Sequence, residues 1–190
     1  MTRSPVLRDH IAAGMLDVAA ALLAERGEQA SMTDIAEAAG VSRATLYRYF
    51  PNRQALLRAL TEVAFADLSS RIADAKVDTV PIDEAIARLT RAMLAATSKY
   101  RALTLFEKSP SDLAEADQVL IEPIRTLFRR GDAEQAFRAD LPIETLVEIY
   151  IGLLEATVRR VLRGRFGVEE ASAAMTGVFL RGARRPASAG

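Results

Sequence analysis

Residues 43–53 of this chain, RATLYRYFPNR, hold three arginines and three aromatic rings and no carboxylate. Tyrosine hydroxyls and guanidinium forks donate hydrogen bonds to phosphate oxygens, and a guanidinium also grips the outer edge of guanine with two bonds. The chemistry on offer is recognition of duplex DNA. The acid-free stretch is longer still, since between Glu37 and Glu62 stand Arg43, Arg48, Arg53 and Arg58 and no Asp or Glu. A charge run by itself reads as a solvated helix face, and it is the interleaved aromatics that tell against that here.

The residue inventory excludes most other chemistry. With no Cys there is no disulfide framework, no thiolate metal site and no cysteine nucleophile. His10 is the only His, and the chain shows no nucleophile motif, no metal-spaced carboxylate pair and no Gly-rich phosphate loop. Neither an enzyme nor a cofactor or metal is expected. Basic and acidic residues balance at 25 each, so no net field draws the chain to nucleic acid or membrane, and local distribution decides. No apolar run approaches the roughly 18 residues of a membrane span, and MTRSPVLRDH lacks a signal-peptide core, which makes a cytoplasmic location the expectation.

The elements that must position residues 43–53 follow from apolar spacing and punctuation. Ile11, Met15, Val18 and Leu22 form one stripe of a helix over 9–26, and Gly27 stops it. Ser31 with Asp34 three residues on resembles a capping box and opens a second helix, with Ile35, Ala36 and Ala39, that ends at Gly40. Ser42 caps a third helix, and Pro51 forbids its continuation past Phe50. Two short helices joined by a Gly-containing turn describe a helix-turn-helix, whose second helix enters the major groove. On a wheel of about 100° per residue, Leu46 and Phe50 face inward. Ala44 and Arg48 then face nearly opposite, flanked by Arg43 and Tyr47 on one edge and by Thr45 and Tyr49 on the other.

Asn52 can cap a fourth helix whose stripe Leu57, Leu60, Ala64, Leu68, Ile72 is long enough to join two domains. After a linker at VDTVP, further helices are expected at about 82–98, 100–107, 111–130, 142–163 and 168–184. No strand alternation appears. The expected fold is all-α, about nine helices, with a helix-turn-helix head at 1–60 and a C-terminal helical bundle at 61–190.

The stretch MTDIAEAAGVSRATLYRYFPNRQALL resembles the DNA-binding head of the TetR/AcrR family of transcriptional repressors. The matching positions are Ile35-Ala36, Ala39-Gly40-Val41-Ser42, Thr45-Leu46-Tyr47, Tyr49-Phe50, Arg53 and Leu56, and DVAAALLAERG at 17–27 is similar to the end of the family's first helix. The resemblance covers roughly residues 9–60. It implies base reading by Arg43, Ala44 and Tyr47, with Thr33 at the start of the second helix, and phosphate contacts by Thr45, Tyr47, Tyr49 and Arg53. Arg53 stands where the family more often has Lys, and Ala12 where many members carry an Arg, so Arg8 or Arg3 must supply that contact if it is made.

The resemblance also implies a body that dimerises and binds a small molecule, giving a homodimer on a palindromic operator. Phe65, Met93, Thr97, Tyr100, Phe106, Ile124 and Phe128 are the residues expected to line an apolar effector pocket, with Glu107 as a further polar contact. Leu146, Tyr150, Leu153, Leu154, Met175, Val178 and Phe179 are expected to form the dimer interface, Gly152, Ala156 and Gly177 permitting close approach. The alternative is a helical small-molecule-binding protein without sequence-specific DNA binding, which a flat binding curve on all duplexes would reveal.

Overall fold

The structure, a computed structural model, describes residues 5–100 and 117–185. Eight α-helices lie among them: α1 Pro5–Arg26, α2 Met32–Ala38, α3 Arg43–Tyr49, α4 Arg53–Asp74, α5 Ile82–Lys99, α6 Glu122–Ala133, α7 Ile143–Leu162 and α8 Val168–Ala183. A 3₁₀ turn, Gly27–Gln29, follows α1, and a π turn, Asp117–Ile121, leads into α6. The β-type pairing among the described residues is an isolated bridge between Phe137 and Arg184. The architecture is all-α. The helix expected at 100–107 falls outside the described residues beyond Tyr100.

The described residues divide into two compact units, 5–64 with 99–100 and 65–98 with 117–185, and α4 contributes to both. In the first unit the core is made by Met15, Leu16, Ala19 and Leu23 of α1, Ile35 and Ala36 of α2, Leu46 and Phe50 around α3, and Leu56 and Leu60 of α4. The buried stripe of α1 is therefore rotated from the one the spacing suggests. Met15 is buried as expected, while Ile11, Val18 and Leu22 are half-buried. Complete burial of Leu46 contributes on the order of 2 kcal/mol, a large share of what a seven-residue helix needs to stay folded.

The second unit is built around aromatic rings. Phe128 stacks on Phe137 with ring centroids 5.2 Å apart, and it meets Tyr150 at 5.2 Å and Phe179 at 5.6 Å. Within this apolar cluster Thr90 and Tyr150 are both fully buried, with their oxygens 2.7 Å apart. The Thr90 hydroxyl donates to the Ile86 carbonyl at 2.7 Å, so it accepts from the Tyr150 phenol. Burial pushes the Tyr150 phenol well above its ordinary value of 10.0, so the ring stays neutral.

The spacing suggests that the helix before residue 142 ends near Arg130, but α6 continues through Gly131 to Ala133. Gly131 is required there because the Phe137 ring occupies its missing side chain's place: a Cβ would lie 2.4 Å from that ring. The ring is held by the segment that carries it. Arg138 N–H donates to Ala183 and Arg185 N–H to Ala136, and the Arg138 guanidinium donates to Gly182.

Candidate nucleic-acid interface

Local bonds fix the helix-turn-helix at each of its corners. Ser31 accepts the Asp34 N–H at 3.1 Å while Asp34 accepts the Ser31 N–H at 2.8 Å, so the capping box is complete with Asp in place of the more usual Glu. The Ser31 hydroxyl, followed by its N–H, holds the Asp34 carboxyl below its ordinary value of 3.8. At the other end of α2, Gly40 adopts φ +65°, the left-handed conformation that glycine enters without penalty. The Val41 N–H then reaches the Ala36 carbonyl and the Gly40 N–H reaches that of Glu37, both at 3.0 Å. This paired closure satisfies two carbonyls that the helix end would leave orphaned.

Ser42 starts α3 by accepting the Thr45 N–H at 3.1 Å, and its hydroxyl lies 2.9 Å from that of Thr45. Leu46 and Phe50 point into the core, and the extended backbone at Phe50 ends the helix before Pro51. The opposite face presents Arg43, Ala44, Tyr47 and Arg48 to solvent, Tyr47 at 45 % exposure. Thr45 and Tyr49 are half-buried along one edge, and the Arg48 guanidinium sits 5.5 Å from the centre of the Tyr49 ring, within cation–π range. Thr33 is half-buried on the first turn of α2. The α3 face thus offers two cationic forks, a phenol and a methyl group, which suits phosphate oxygens, guanine edges and a thymine methyl.

Arg53 departs from the expectation. It is half-buried, and its Nη1 donates to the Ala30 carbonyl while Nη2 donates to that of Glu28 at 3.5 Å. Nothing in the residue pattern signals this, because the acceptors are backbone atoms more than twenty residues away. The side chains of Arg3 and Arg8 lie outside the described residues, and Ala12 is half-buried.

The described pocket residues belong to both units. Tyr100 packs into the core of the first unit with Leu23 and Leu60, whereas Met93, Ile124 and Phe128 belong to the aromatic core of the second. Phe65 is buried, Thr97 is half-buried with its hydroxyl on the Met93 carbonyl at 2.8 Å, and Phe106 and Glu107 lie outside the described residues. The dimer residues need a similar correction. Leu146, Tyr150, Met175 and Phe179 are at most 6 % exposed, packed inside one chain, and have no surface to offer a second. Leu153 and Leu154 are half-buried, and Val178 is 65 % exposed. The large apolar residues that face outward from these two helices are Ile149 on α7 and Val178 on α8, with Gly152, Ala156 and Ala174 also exposed. The sequence missed Ile149, whose place in the α7 spacing shows it only once the inward face is known.

Among the described residues no group of His, Cys, Asp or Glu is placed to hold a metal ion, and no helix is long and apolar enough to cross a membrane.

Comparison with known proteins matches residues 15–60 to the family described as bacterial regulatory proteins, tetR family. The HTH-type transcriptional regulator NfxB of Pseudomonas aeruginosa is 28 % identical over 164 residues, covering 84 % of this chain and 87 % of that one. The HTH-type transcriptional repressor LfrR of Mycolicibacterium smegmatis is 37 % identical over 87 residues, 46 % of each chain. Among solved structures, the TetR family regulator PfmR of Thermus thermophilus superimposes with a TM-score of 0.75 at 25 % identity, covering 88 % of this chain and 97 % of that one. LfrR in complex with proflavine gives a TM-score of 0.71 at 26 % identity, covering 90 % and 96 %. Corner by corner, the turn at Gly40, the cap at Ser42 and the outward face of α3 are what such a reader of DNA requires, and over residues 15–60 the chain carries the DNA-binding domain of the tetR family of bacterial regulatory proteins.

Proposed function

We propose that the chain is a repressor that binds a palindromic operator as a homodimer and releases it when a small apolar molecule occupies the second unit. Residues 1–60 read the DNA, and residues 61–190 dimerise and take the effector. The observation that carries the reading is the α3 face, where Arg43, Ala44, Tyr47 and Arg48 stand exposed while Leu46 and Phe50 anchor the helix from behind. Thr33, Thr45 and Tyr49 border that face.

A dimer accounts for the exposed stripe of α7 and α8. Ile149, Gly152, Leu153 and Ala156 recur at helical spacing on one helix, and Ala174, Gly177 and Val178 on the next. A Cβ added at Gly152 or Gly177 meets nothing within 4 Å, which leaves room for a partner's helices. Two copies place two recognition helices one helical turn of DNA apart, about 34–36 Å or a multiple, so the operator is an approximate palindrome. A ligand that prefers a differently spaced state releases the DNA in proportion to its differential affinity.

For the effector, the support is the aromatic cluster of the second unit and the relative LfrR, solved with proflavine. Among the described residues the buried polar ones are Thr90, Ser172 and Thr176, hydroxyls set among apolar side chains, which favours an apolar ligand. The test is selection of bound duplexes from a random DNA library at about 150 mM salt, where nonspecific phosphate binding is suppressed. An enriched palindrome is expected. No enrichment would favour a small-molecule-binding protein that has no operator.

A further inference from the structure

Residue 53 is where the family resemblance implies a phosphate contact, yet in this chain its guanidinium is turned onto the protein's own backbone. Its two acceptors, the carbonyls of Ala30 and Glu28, lie between the end of α1 and Ser31. Ala30 is completely buried. Its carbonyl stands just ahead of the first α2 bond, which runs from the Ile35 N–H to the Ser31 carbonyl at 3.1 Å. A buried carbonyl outside the helical ladder requires a donor, and Arg53 supplies one.

The sequence positions joined by this fork give it its meaning. Ala30 precedes α2, and Arg53 is the first residue of α4, immediately after the recognition helix and its Phe50-Pro51-Asn52 exit. From Ala30 the chain runs through α2, the Gly40 turn, α3 and Pro51 to Arg53, and the fork returns it to Ala30. We infer that Arg53 is a positioning residue for operator binding rather than a phosphate ligand, its fork closing residues 30–53 into a ring that seats the recognition helix.

The parts of the ring are fixed by independent means. The start of α3 is held to α2 by the Gly40 and Val41 N–H bonds and by the Ser42 cap. Its exit is held by the buried Phe50, and the Asn52 side chain, accepting the Ala55 N–H at 2.8 Å, sets the direction of α4. The fork connects that exit back to the start of α2 by directed bonds. The guanidinium meets the two carbonyls with donors fixed in one rigid plane, a geometry that the ammonium of Lys, whose three donors radiate from a single nitrogen, does not reproduce.

The inference rests on the assignment of α3 as the DNA reader, and the experiment separates the two. The full-length wild-type chain, R53K and R53A are compared at a temperature where all three are folded. Binding is measured to the palindrome enriched by duplex selection and to a scrambled duplex, from about 50 to 200 mM salt, and amide exchange is measured on the free proteins. A recognition helix off its seat behaves like a site with one wrong base pair. Both variants should therefore lose about tenfold on the palindrome at every salt concentration. Scrambled-duplex binding and the salt slope should match the wild type, and amides of residues 31–36 should exchange faster in both variants.

A slope shallower by about 0.9 in R53A and restored in R53K would mean that Arg53 binds a phosphate and would overturn the inference. Unchanged operator affinity with only a lower melting temperature would reduce it to a stabilising contact and overturn the positioning role. Should the wild type enrich no duplex, operator reading fails on its own, and the exchange rates at residues 31–36 decide whether the ring exists.

Discussion

Replacing Thr90 by Val removes one hydroxyl from the centre of the second unit and leaves the side chain's shape almost unchanged. The Tyr150 phenol, 2.7 Å away and fully buried, then loses the acceptor it has in the fold. Leaving such a donor unsatisfied adds its desolvation penalty to the lost bond, and the expected cost is about 2–3 kcal/mol. Tyr150→Phe removes the donor instead. Thr90 keeps its bond to the Ile86 carbonyl, so that variant loses only the net worth of one hydrogen bond, about 1 kcal/mol. With both hydroxyls gone nothing is orphaned, and the double variant should lie close to Tyr150→Phe alone. Urea unfolding of the four proteins, with unchanged dependence on denaturant, gives the cycle directly. Thr90→Val costing no more than Tyr150→Phe, or two losses that simply add, would refute the buried donor-to-acceptor pair. The sign at alkaline pH follows from the same geometry. The folded phenol is raised above its ordinary 10.0, so its contribution is complete below that pH and is lost as pH rises toward the folded value, a loss that Tyr150→Phe should abolish.

Arg43→Ala should relax base preference at one operator position and cost about 1–3 kcal/mol there, read by repeating duplex selection with the variant; an unaltered selected sequence would mean that Arg43 reads no base. Val178→Arg should bring the mass in light scattering down from about 41 kDa, twice the 20.6 kDa chain, to that of one chain; a variant still of double mass would place the partner elsewhere. Because Asp34 is lowered from 3.8 in the fold, its contribution is complete above that value and is lost as pH falls through the lower folded one. Asp34→Asn should therefore show a weaker acid dependence of melting between about pH 2 and 5 than the wild type, and identical profiles would contradict the capping-box account.

What the sequence reveals depends on how far apart the interacting partners lie. The head is legible because each corner is decided within a few residues: Ser31 with Asp34, Gly40 with Ala36 and Glu37, Ser42 with Thr45, Pro51 against Phe50. A cap or a left-handed glycine leaves a mark in the residue type itself. In the second unit the deciding pairs are distant. Thr90 meets Tyr150 sixty residues away, and Phe137 fills the space over Gly131 from a segment outside any helix. An apolar stripe on α7 or α8 looks the same whether it is bound for the chain's own core or for another chain, which is why spacing alone puts Leu146, Tyr150, Met175 and Phe179 on the wrong side. Arg53 escapes a reading of the sequence for a related reason. Backbone carbonyls are present at every residue, and no residue type advertises which of them needs a donor.

The outward face of α3 has a consequence for how such a protein changes over generations. The residues that hold the helix, Ser42, Leu46 and Phe50, are separate from those that face outward, Arg43, Ala44 and Tyr47. Exchanges at exposed positions usually alter stability by no more than about 0.5 kcal/mol. Operator preference can therefore drift, or be redirected by a library randomised at residues 43, 44 and 47, with nearly every member still folded and available for selection. A gene copy would inherit the whole scaffold and need only a few substitutions to answer to a different promoter.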